Sequence, residues 1–102
     1  MTAPRSHPPV TPEVKAAIEQ ILRKNLTRYG LVRATVEPGE DHDGDPVLFI
    51  NAEYKLSEEP VDPEVTFATR SELDRKVIAL GELRFPHLRH QFHEAQKVRG
   101  FR

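Results

Sequence analysis

Hydrophobic and polar positions alternate most regularly along residues 46–56, PVLFINAEYKL. Leu48, Ile50, Ala52, Tyr54 and Leu56 share one parity, and Asn51, Glu53 and Lys55 share the other. A period of two predicts a strand buried on one face. Val47 and Phe49 add apolar surface to the opposite face near the strand's start, so a loop or a partner has to cover them. Residues 31–37 alternate in the same way, with Val32, Ala34 and Val36 set against Arg33, Thr35 and Glu37. Between the two lies PGEDHDGD, residues 38–45, whose proline, glycines and acids suit a connection and whose Asp43-Gly44 suits a turn. Sequential strands usually pair, so a hairpin is expected.

Two other segments repeat at helical spacing. Thr11 can cap a helix, Pro12 suits its first position, and Glu13 places negative charge in the first turn. Val14, Ala17, Ile18, Ile21 and Leu22 then form one apolar stripe, continued by Leu26, and Gly30 supplies the stop. This predicts a helix over 12–28. A second helix is expected over about 64–82, with Leu73, Val77 and Leu80 as its buried stripe and Gly81 at its end. Its start has two readings. Asp62 and Pro63 can open the helix, or Val65, Phe67 and Thr69 can form a short third strand with the helix starting at Ser71. Phe85-Pro86 breaks the pattern. Residues 87–97 then read as a short helix or an extended tail, with Leu88 and Phe92 on one side, and Phe85 and Leu88 are expected to pack back on the core. Residues 98–102 read as a frayed end, and residues 1–10, with three prolines, as a flexible leader.

The expected fold is α+β: helix, strand, strand, helix, with a possible short third strand. Both main helices pack on one face of a small, mainly antiparallel sheet in a single domain over 11–97. The expected core is Val14, Ile18, Ile21, Leu22, Val32, Ala34, Val36, Leu48, Ile50, Ala52, Tyr54, Leu73, Val77 and Leu80.

Composition narrows the class. The chain has 102 residues, 37% hydrophobic and 30% charged, which suits one small folded core. It has no cysteine, which removes disulfides, thiol catalysis and cysteine-bound zinc, and fits a cytoplasmic setting. The first residues hold no apolar signal region, and no run is long enough to span a bilayer. The net charge of −1 hides a division: residues 1–36 carry six basic and two acidic side chains, residues 37–64 one and ten, residues 65–102 eight and four. Such a field can select a partner.

Candidate chemistry is sparse. Asp41, Asp43 and Asp45 offer oxygen ligands, but an EF-hand loop opened at Asp41 would put Pro46 and Ala52 where glycine and glutamate belong. His87, His90 and His93 recur at threes without the HExxH pattern, and fit a basic surface better than a metal centre. No GxSxG, GxxxxGK or GxGxxG is present. No catalytic, cofactor or metal residue is therefore assigned. The function expected is protein binding or self-association through an exposed sheet face or edge, with Val47 and Phe49 as contacts and Arg84 and Arg89 orienting the partner. The alternative is RNA binding by a basic C-terminal surface of Arg84, Arg89, Lys97, Arg99 and Phe92.

Overall fold

The computed structural model describes residues 7–55 and 59–92. Helix α1 spans Pro12–Leu26, and Thr11 caps it by accepting from the Val14 amide at 3.2 Å. A single 3-10 turn, Thr27–Tyr29, follows, and Gly30 leaves it at φ 99°, a backbone state glycine adopts without a Cβ penalty. Strand β1, Leu31–Glu40, then pairs antiparallel with β2, Pro46–Tyr54. The first strand runs three residues past its expected end, through Pro38. An edge strand tolerates that proline because one side of it needs no ladder partner.

Helix α2 spans Pro63–Ala79 and is capped by Asp62, which accepts from the Glu64 amide at 2.9 Å. Of the two readings of 65–69, the helical one holds. The third strand lies elsewhere. Phe85–Phe92 forms β3, parallel to β2, and the sheet order is β1-β2-β3. The sheet is therefore mixed, with β2 at its centre, and residues 87–92 are extended rather than helical. The rest of the segment expected to reach residue 97, the frayed end at 98–102 and residues 1–6 of the leader lie outside the described residues. Among the described residues no helix is long and apolar enough to cross a membrane.

Both helices cover one face of the sheet. Ile18, Leu22 and Leu26 of α1 and Leu73 and Val77 of α2 meet Leu48, Ile50, Ala52 and Tyr54 of β2, all essentially buried. Two expected core residues are outside it. Val32 is 44% exposed because the pairing register slips between Leu31 and Arg33; this bulge buries Leu31 instead and resets the alternation so that Ala34 and Val36 still face inward. Leu80 is 41% exposed because it follows the last helical residue, where the chain leaves the stripe.

The start of the described chain is tied down. Val10 is part of the core, and the Arg84 guanidinium donates to the Pro8 carbonyl at 2.6 Å and the Pro9 carbonyl at 3.4 Å. Arg84 also pairs with Glu82 at 2.7 Å, both side chains being largely buried.

Candidate functional site: the open face of the sheet

The alternation of three paired strands sets the composition of the face that neither helix covers. Across the strands its rows read Arg33, Glu53 and Gln91; Thr35, Asn51 and Arg89; Glu37, Phe49 and His87; Gly39, Val47 and Phe85. The β3 residues in these rows are all exposed. Phe49 is half-buried at the centre. Its ring passes over Gly39 so closely that a Cβ there would lie 2.6 Å from the Phe49 Cε2. The Arg89 guanidinium lies over the same ring, 4.3 Å from its centroid. Arg89 is aimed by its Nε, which donates to the Asn51 Oδ1 at 3.1 Å, and Asn51 donates to the Thr35 hydroxyl at 3.4 Å. His87 is tilted against Phe49 at 5.7 Å between centroids, and against Phe85 at 6.5 Å. Phe85 is 60% exposed. A continuous aromatic strip, Phe49–His87–Phe85, thus ends at the edge formed by β3, with one arginine laid on it.

The face is close to electrically neutral. Arg33 sits 4.0 Å from Glu53, Arg89 is positive and Glu37 negative. The hairpin loop leaves β1 and enters β2 at the end of the sheet where Val47 and Phe85 lie. There the carboxylates of Asp41, Asp43 and Asp45 come within 4.8 Å of one another. Asp41 Oδ1 accepts from the Asp43 and Asp45 amides, both at 2.9 Å, so it closes the loop.

The chain matches no protein-family model, no curated protein and no solved structure. The functional reading therefore rests on the side chains themselves.

The sequence candidates separate in space. Phe49 and Arg89 are brought into contact on the open face. Val47 is on that face by parity but only 3% exposed, a short side chain set between Gly39 and Phe85 across the strands, so it offers no contact area. Arg84 is held by Glu82 and the leader carbonyls and does not project towards a partner. Phe92 lies on the helix side, stacked on Tyr54 at 4.8 Å, away from Arg89. Lys97, Arg99 and His93 lie outside the described residues. His87 and His90 fall on opposite sheet faces, because a strand sends residues three apart in opposite directions. His90 faces the helices and shares a 2.7 Å hydrogen bond with the Tyr54 hydroxyl. Burial, with Arg70 nearby adding to it, holds His90 below the usual histidine range, and burial pushes Tyr54 up to about 12. Because Pro86 and Leu88 take the strand's inward positions, Phe85, expected to pack on the core, is instead exposed and shares the open face with His87. Their common parity with Phe49 follows only once 85–92 is a strand in register with β2.

Proposed function

We propose that the chain is a non-catalytic, cytoplasmic binding protein that holds another protein against the open face of its sheet. The observation that carries this reading is the aromatic strip Phe49–His87–Phe85 with Arg89 stacked on Phe49. An aromatic and arginine cluster with a polar surround is the composition of energetically dominant contact patches, where one well-buried anchor contributes about 2 kcal/mol or more. The partner it fits presents an apolar side chain to Phe85 and His87 and a carboxylate to Arg89. The β3 edge beside the strip, unpaired among the described residues, adds main-chain groups that an extended segment can pair with.

RNA is the second reading, favoured by the same stacking of Arg89 and the exposed Phe85. The acidic loop at the Phe85 end of the sheet speaks against it, since phosphate would be repelled there.

The test is recovery of the tagged protein from its native cell, with and without ribonuclease, beside a Phe85→Ser/Arg89→Ala variant and a control, Arg75→Ala, on the helix layer. A stoichiometric second protein that survives ribonuclease, is lost with the double variant and is kept with the control is the expected result. Recovery of RNA alone, or a protein partner indifferent to the double variant, refutes the reading.

A further inference from the structure

Helix α2 carries apolar side chains on two sides. Val65, Leu73 and Val77 face the core. Phe67 and Ile78 point away from it, 71% and 58% exposed. At 3.6 residues per turn Phe67, Ser71, Asp74 and Ile78 fall on one stripe, with Arg70 on its margin. A helix that packs by one face normally presents a polar stripe opposite, so two large apolar side chains there mark a surface that something covers.

The stripe has a property that identifies the occupant. Reversed about the point between residues 72 and 73, Phe67 falls on Ile78, Ser71 falls on Asp74, and Arg70 becomes the neighbour of Asp74. Arg70 and Asp74 make no ion pair among the described residues. Within the helix their order, base before acid, is the less favourable one for a pair four apart. Across a two-fold axis the same charges meet as Arg70 with Asp74 of the other copy, twice. A closed dimer requires this reciprocity: residue i meets j and j meets i. A cleft of about 350 Å³ between α2 and β3, lined by Arg70, Ser71 and Asp74 on one side and by residues 85–88 on the other, runs beside the stripe and leaves room for a second helix's side chains.

We propose that α2 packs antiparallel on α2 of a second copy of this chain, with Phe67 against Ile78 at both ends and paired Arg70–Asp74 contacts between them. The cleft beside the stripe borders Phe85 and His87 of the aromatic strip, whereas Phe49 and Arg89 lie outside it.

Sedimentation equilibrium on the full chain tests this. The wild type is expected to dimerise. Phe67→Asp and Ile78→Asp, both at exposed positions, should each weaken the dimer by about tenfold or more. Arg70→Asp sets like charges against each other twice and should weaken it by about tenfold or more. The exchanged variant Arg70→Asp/Asp74→Arg restores opposite charges and should return the dissociation constant to within about threefold of wild type. A wild type that stays monomeric at about 1 mM, a dimer indifferent to Phe67→Asp and Ile78→Asp, or a charge exchange that fails to recover the dimer while circular dichroism is unchanged, overturns the proposal.

Discussion

Gly39 and Phe49 form a pair whose coupling has a definite sign. Gly39 is in edge strand β1 and is not among the positive-φ glycines, so alanine is compatible with its backbone. By itself Gly39→Ala should stabilise the strand by about 0.5 kcal/mol, because glycine loses more chain entropy on folding. In the native protein the added methyl would meet the Phe49 ring at 2.6 and 2.9 Å. The ring cannot stay, and Arg89 lies on it at 4.3 Å. Displacing the ring forfeits the cation–π contact, about 0.5–1 kcal/mol at an exposed site, and part of the ring's burial, of similar size. The net expectation is a loss of about 1 kcal/mol in the wild-type background and a gain of about 0.5 kcal/mol when Phe49 is already alanine, a coupling of about 1.5 kcal/mol. Urea unfolding followed by far-ultraviolet circular dichroism reads this directly. With a slope of about 1.5 kcal/mol/M the midpoint should fall by about 0.7 M in one background and rise by about 0.3 M in the other. Equal shifts of the same sign in both backgrounds would show that the ring swings aside freely, and the reasoning about a fixed aromatic platform would fail.

Three further outcomes follow from buried polar groups. Arg84→Ala should cost about 2–3 kcal/mol, since it leaves Glu82 without its partner and frees the leader carbonyls, whereas Lys24→Ala, at an exposed pair with Glu72, should cost under about 0.5 kcal/mol; equal losses by urea titration would refute the anchor. His90, held below the usual histidine range by burial, should make stability fall as the pH drops below about 6.5, where the unfolded chain binds a proton that the folded chain refuses; His90→Gln should flatten that dependence below about pH 6.5, and an unchanged slope would contradict it. At lower pH a separate loss should begin as Glu82, held under the usual carboxylate range by its hydrogen bond to Arg84, takes up a proton on passing its folded value.

Elements with strong periodicity were legible in the sequence, and those defined by their neighbours were not. Helix α1, strand β2 and the caps Thr11 and Asp62 follow from local patterns that the fold keeps. Strand β3 is different. Its inward residues are Pro86, Leu88, His90 and Phe92 and its outward ones Phe85, His87, Arg89 and Gln91, so aromatic and histidine side chains occupy both faces and the alternation is blurred. It holds none of the β-branched residues valine, isoleucine and threonine, and two phenylalanines are all it has of the residues enriched in strands. What makes it a strand is the neighbouring edge of β2, reached after the crossover through α2. The same dependence explains Val32, whose exposure comes from a bulge against β2, and Arg84, whose charge is absorbed by carbonyls distant in sequence. Phe49 and Arg89 were visible as residues, but their contact was not, because it needs the β2–β3 register.

That register also bears on what the face can bind. Among the described residues two arginines, Arg33 and Arg89, point from it, and Arg33 is matched by Glu53 at 4.0 Å. A single strand of RNA gains most of its affinity from released counterions, at a logarithmic salt slope of about 0.7 per neutralised phosphate. Even with both arginines engaged, a slope of about 1.4 gives only about a sevenfold change between 50 and 200 mM salt. Glu37 opposite Phe49 and the three aspartates at the loop oppose even that. The strip's remaining interactions are those of rings and one stacked guanidinium, which depend little on salt and need a partner that excludes water from them. A folded protein surface or an extended segment laid along β3 can do so; a flexible polyanion cannot without bringing its charge against the loop.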